Sequence, residues 1–136
     1  MIKQLAHICI HTNDLEKTEN FYCNILGLSK KFNFDKDGNL FGFYIDLGNN
    51  TYLEFFHDPE VVNQTSSIRH FCLEVENITS AINQLNSNGI ETTQKLLGCD
   101  KTFQCWITDP NGIQIELQEY TSKSSQINGG NCIVDW

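Results

Sequence analysis

The sequence predicts an α+β fold, in which two βαβββ modules form a curved mixed sheet around a cavity with helices on the outer face. Three observations predict it. The chain repeats itself once, each half carries the same order of elements, and the strands alternate apolar and polar residues. LAHICIHTNDLEKTENFYCNILGL reads against IRHFCLEVENITSAINQLNSNGI, with His7 on His70 and Cys9 on Cys72, both at an offset of 63. FGFYIDLGNNTYLEFF reads against FQCWITDPNGIQIELQ, with Tyr44 on Trp106 and Glu54 on Glu116, both at 62. A near-constant offset over four elements marks a duplication.

The elements follow in order. Residues 4–11 alternate as a strand. Asn13 is placed to cap a helix, with Glu16 as its capping-box partner. Leu15, Phe21, Tyr22, Ile25 and Leu26 fall at helical spacing, and Gly27 ends that helix. Strands are expected near 29–34, 40–47 and 51–56, separated by Asp37-Gly38 and Gly48-Asn49-Asn50. The second half repeats the plan. A strand near 68–75 leads to an Asn77-capped helix carrying Ile78, Ala81, Ile82 and Leu85, closed by Gly89. Strands near 91–97, 102–108 and 113–119 follow, the last after the turn Asp109-Pro110-Asn111-Gly112. The modules are thus 4–56 and 68–119, joined by 57–67, within one domain over 1–120. Residues 121–136 form a polar tail ending in Cys-Ile-Val-Asp-Trp, and Trp136 is expected to dock, since an exposed indole wastes apolar area.

Composition narrows the function. The chain has 136 residues, 40% of them hydrophobic, enough for a real core. Nine Lys and Arg against 17 Asp and Glu give a net charge of −8, which disfavours nucleic acid. Arg69 is the only arginine, so bidentate clamps for anions are scarce. No apolar run approaches the roughly 20 residues of a bilayer span, and the N-terminal sequence lacks a secretory h-region. These features imply a cytoplasmic protein without a membrane partner. Six cysteines without a CxxC pair read as free thiols.

Strand alternation separates two faces. Ile8 and Ile10 oppose His7, Cys9 and His11, while Phe71, Leu73 and Val75 oppose His70, Cys72 and Glu74. Leu53 and Phe55 oppose Tyr52, Glu54 and Phe56, while Ile113, Ile115 and Leu117 oppose Gln114, Glu116 and Gln118. The apolar face is covered by the helices. The other face is either a wet sheet surface or a site in which the sheet curls and His7, Glu54, His70 and Glu116 converge. Only the second explains why His and Glu recur at matched places. Two neutral imidazoles and two carboxylates suit a divalent cation, with room for two further oxygens. Mixed N and O donors fit Ni, Co, Zn, Mn or Fe.

The duplication, the His–Glu–His–Glu set, and the motifs HICIHTNDLEKTENFYCNILGL, RHFCLEV and DPNGIQIEL resemble the vicinal oxygen chelate superfamily over residues 4–120. That superfamily includes glyoxalase I, bleomycin-resistance proteins and extradiol dioxygenases. The resemblance implies that His7, Glu54, His70 and Glu116 are metal ligands, and that Glu54 and Glu116 are the candidate bases. With carboxylates at both positions the chain looks most like glyoxalase I-type lyases, also called lactoylglutathione lyases. The resemblance also implies a homodimer and a small-molecule substrate. The alternatives in the same superfamily are an extradiol-type dioxygenase, an epimerase, or a metal-free binding protein. Glyoxalase I proteins often carry an arginine four residues after the first ligand histidine, where this chain has His11. A glutathione adduct is disfavoured accordingly. His11, Tyr44 and Trp106 are candidate pocket residues. Cys9 and Cys72 are expected to be small buried thiols. His57 is expected at the surface, past the end of its strand, where the register breaks.

Overall fold

The computed structural model describes residue 1, residues 3–61 and residues 67–134. The chain divides into two compact units, Met1–Thr65 and Ser66–Trp136. The division falls inside the expected linker. Trp136, expected to dock, lies outside the described residues.

The first unit begins with β1 (His7–Thr12) and α1 (Leu15–Glu19), which continues into a π-helical segment (Asn20–Ile25). β2 (Ser29–Lys36), β3 (Asn39–Asp46) and β4 (Tyr52–His57) follow. The strands pair in the order β1-β4-β3-β2, with β1 parallel to β4 and the other pairs antiparallel. Asp37 and Gly38 both have positive φ (52° and 78°), which gives the tight β2–β3 turn the hand that matches strand twist. The core lies between helix and sheet. Phe43, Ile45, Leu53 and Phe55 are fully buried, and Tyr22 packs its ring 4.8 Å from that of Phe55.

The helix start differs from expectation by one residue. The cap is Asp14, whose side chain accepts from the Lys17 amide at 2.9 Å, rather than Asn13 paired with Glu16. The Thr12 hydroxyl takes the Asp14 amide, so the chain turns at Asp14 and leaves its carboxylate facing the first turn. The π-helical widening puts the adjacent Phe21 and Tyr22 in the core together. β4 also runs one residue further than expected. The register continues to Thr12↔His57, so His57 belongs to the strand and follows Leu53 and Phe55 in alternation, away from the face of Glu54.

The second unit repeats the topology with β5 (His70–Glu74), α2 (Ile78–Ser87), β6 (Leu96–Leu97), β7 (Phe103–Thr108) and β8 (Gln114–Glu119). The order is β5-β8-β7-β6, again with one parallel pair. Asn77 caps α2 by accepting from the Ser80 amide at 2.8 Å, and Glu119 at the end of β8 accepts from the Ile78 amide at 2.8 Å. Asp109 holds the turn into β8, accepting from the amides of Asn111 and Ile113. The strand expected over 91–97 shrinks to Leu96–Leu97. Thr93 is the reason: its hydroxyl accepts from the Trp106 amide at 2.9 Å, where a strand carbonyl would serve in a regular ladder. In the tail, α3 (Ser125–Asn128) is tied back to the loop before β7. There the Ser125 amide donates to the Asp100 carbonyl, and Gln126 donates to the Asp100 carboxylate at 2.6 Å.

Candidate functional site

The duplication holds residue by residue. Cys9 stands opposite Glu54 and Glu54 opposite Tyr44, while Cys72 stands opposite Glu116 and Glu116 opposite Trp106. Side chains at cross-strand positions on one face are neighbours. Each sheet therefore presents a matched set of an imidazole, a thiol, a carboxylate and an aromatic ring on the face away from its helix.

In the first unit His7 Nε2 lies 3.7 Å from Glu54 Oε2, and in the second His70 Nε2 lies 3.5 Å from Glu116 Oε2. The carboxylates are sheltered, with side chains 15% and 10% exposed, while the imidazoles are open at 42% and 40%. Two donors each about 2.0–2.2 Å from one ion stand roughly 3.0–3.6 Å apart at octahedral to tetrahedral angles. The second separation lies at the upper end of that range and the first 0.1 Å beyond it, so a small side-chain shift would bring each pair to ligating distance of one ion. Among the described residues no group of three or more His, Cys, Asp or Glu side chains is gathered around one point, and the donors come in twos.

Each pair is braced from its own sheet. The Tyr44 hydroxyl lies 2.9 Å from His7 Nδ1. With the proton on Nδ1, the ring donates to Tyr44 and keeps its Nε2 lone pair on the Glu54 side. This is the outer hydrogen bond by which a protein fixes a ligating histidine. Burial and the nearby Glu54 charge push the Tyr44 hydroxyl up, so it stays protonated. In the second unit Trp106 meets His70 edge-on, with centroids 4.8 Å apart at 80°. Gln118 donates to Glu116 Oε1 at 3.0 Å, leaving Oε2 toward His70. Tyr44 and Trp106, expected as pocket lining, thus also contact the histidines directly.

Cys9 and Cys72 are not core residues. Both are exposed, on the faces that carry Glu54 and Glu116. Desolvation at the thiol and the hydrogen-bonded Glu54 push Cys9 up to about 11. Desolvation and the charge of Glu116 push Cys72 up to about 12. Both remain thiols at neutral pH, and it is the thiolate that binds metal. His11 sits one row beyond Cys9, with Nδ1 3.1 Å from Asp58 Oδ2. That bond holds the Asp58 carboxyl below its ordinary range.

Sequence reasoning missed an aromatic surface beside the first pair. Tyr52, Tyr44, Phe32, Phe34 and Phe56 touch one after another on the face of Glu54, with centroid separations of 5.3, 4.7, 5.1 and 4.8 Å. The signal was present: Phe32 and Phe34 alternate within β2, and Tyr52 and Phe56 share the parity of Glu54. The second unit carries a polar counterpart, an open groove of about 220 Å³ lined by Thr92, Thr93, Trp106, Thr108 and Gln114 among others.

The model of the Glyoxalase/Bleomycin resistance protein/Dioxygenase superfamily matches residues 4–117, and the chain belongs to that superfamily. It is similar to a probable lactoylglutathione lyase of Synechocystis sp., 27% identical, with 88% of this chain and 97% of the relative covered. It is also similar to the mitochondrial methylmalonyl-CoA epimerase of Homo sapiens, 32% identical, with 65% of this chain and 56% of the relative covered. Among solved structures, a glyoxalase family protein from Enterococcus faecalis superposes with a TM-score of 0.74 at 26% identity, covering 86% of this chain and 98% of that one.

Proposed function

We propose that His7, Glu54, His70 and Glu116 together hold one divalent ion (Ni, Co, Zn, Mn or Fe). On this reading the chain is a glyoxalase I-like lyase or isomerase. It moves a proton between neighbouring carbons beside the vicinal oxygens of a small carbonyl compound or thiol adduct. The observation that carries this reading is the repeat-matched pair of His–Glu contacts, each with its own brace. Four such donors fit the ion by type, and the two modules would each contribute half of the set. The ion would supply Lewis acidity to the C–H next to the oxygens it holds. Glu116 or Glu54 takes that proton and returns it to the adjacent carbon. Both carboxylates are sheltered from water, which favours transfer without exchange to solvent. A homodimer belongs to the same reading, by likeness to the superfamily.

The Synechocystis relative, named a probable lactoylglutathione lyase, supports the class. A glutathione adduct itself is disfavoured by the net charge of −8 and by His11, whose Nδ1 faces Asp58. The epimerase relative favours a second reading, in which the same carboxylates exchange a proton at one carbon of an acyl thioester. One experiment separates the two. In D2O the metal-loaded protein is given a methylglyoxal hemithioacetal or an acyl thioester, and NMR follows product and α-deuteration. Conversion of the hemithioacetal supports the lyase; α-deuteration of the thioester alone replaces it with the epimerase. Glu116→Gln should keep fold and metal and lose about 10²–10⁴-fold in turnover. Unchanged turnover in that variant, with metal bound, rules out Glu116 as the base.

A further inference from the structure

The two modules share their donors but not their lining. Where the first has Tyr52 and Phe56 flanking Glu54 on β4, the second has Gln114 and Gln118 flanking Glu116 on β8. Opposite Tyr44 stands Phe32, while opposite Trp106 stands Thr93. Since the second sheet adopts the same topology with amides and a hydroxyl, the fold does not require aromatic residues at these places. The rings are also open to a ligand: Phe32 is 45% exposed, and Phe34, Tyr44, Tyr52 and Phe56 are half-buried.

Gly42 makes the surface flat. A Cβ at this position would run into the Phe55 carbonyl and lie 2.7 Å from the Phe56 ring, so Phe56 lies over bare backbone and reaches Phe34. Charges at the margin are already engaged. Lys31 pairs with Asp46 at 2.9 Å, Asp58 with His11 at 3.1 Å, and Lys36 lies over the Phe41 ring. Tyr44, the second ring of the row, also reaches His7, so the surface is continuous with the His7–Glu54 pair.

We propose that this surface seats a flat, uncharged aromatic or conjugated group of the substrate, whose vicinal oxygens reach toward His7 and Glu54. The proposal rests on the reading of that pair as half of the reaction site. Rings in offset or edge-on contact at 4.7–5.8 Å leave faces on which a further ring stacks. Among the described residues the lysines at this margin are occupied by Asp46 and by the Phe41 ring, so an anion gains little there.

The test uses three α-hydroxy ketones with the same vicinal oxygens: α-hydroxyacetophenone, hydroxyacetone, and α-hydroxyacetophenone bearing a 4-carboxylate. Calorimetric titration of the full chain, metal-loaded and chelator-treated, gives the affinities. The expected result is at least tenfold tighter binding of α-hydroxyacetophenone than of either comparator. Phe32→Ser should abolish that preference, whereas Leu96→Ser, at an exposed apolar site of the second unit, should keep it. Phe34→Leu serves as a second variant should Phe32→Ser not fold, as judged by circular dichroism. Equal affinities for the three ketones overturn the proposal, as does an unchanged preference in a folded Phe32 or Phe34 variant. Loss of a dimer in Phe32→Ser with unchanged affinities also overturns it, because the surface then seats a second copy. A ring preference that survives when no metal binds upholds the aromatic seat while sinking the four-ligand reading. Metal binding without ring preference does the reverse.

Discussion

Tyr44 is the residue on which the first His–Glu pair turns. Its hydroxyl lies 2.9 Å from His7 Nδ1, and its ring stacks on Phe32 in the aromatic row. Tyr44→Phe keeps the ring and removes the hydrogen bond. Divalent-metal affinity should fall about 10–100-fold, the usual effect of losing an outer partner of a ligating histidine, while the thermal midpoint barely moves. Titration of Ni2+ or Zn2+ into wild type and variant checks this, and equal affinities contradict the bracing role. The pairing of His7 with Glu54 and of His70 with Glu116 on one face of each sheet was legible in the sequence because period-2 alternation and a near-constant offset both act residue by residue. The bracing by Tyr44 and Gln118 was not, because it depends on cross-strand register and rotamers. The exposure of Cys9 and Cys72 was missed for another reason: cysteine's general burial habit was given more weight than the polar parity these two positions share with His7 and His70.

At the scale of elements, Gly42 and Asp100 yield separate predictions. Gly42→Ala places a methyl against the Phe55 carbonyl and the Phe56 ring in a buried strand. Overpacking of this kind costs about 1–3 kcal/mol, so chemical denaturation should show a clear loss of stability, and any ring-dependent binding should weaken with it. Asp100 tethers α3. Burial works against its charge, but hydrogen bonds from Gln126 and Thr102 outweigh that and hold its carboxyl below the ordinary range. A depressed carboxylate stabilises the fold above its unfolded value of about 3.9, and that contribution is lost as pH falls through the lower folded value. Amide protection factors in residues 124–129 should therefore fall as pH drops below about 4, and in Asp100→Ala they should already be low at neutral pH. Equal protection in the variant contradicts the tether. Element order was legible throughout from turn residues and periodicity. The Asp14 cap and the short β6 were not, because each follows from one threonine hydroxyl competing for a backbone amide.

For the whole molecule, the duplication separates what is kept from what varies. Both sheets keep strand order, the parallel outer pair and the His–Glu contact, while the lining changes from aromatic to amide and hydroxyl. Among the described residues no helix is long and apolar enough to cross a membrane. The central claim, four donors on one ion, is tested most directly by metal content per chain. Wild type and Glu54→Ala are purified without chelator and measured by plasma mass spectrometry alongside protein concentration. The account predicts about one divalent ion per wild-type chain and a marked loss in the variant. Wild type that takes up no ion even after reconstitution, or a variant that keeps its ion in full, would contradict it.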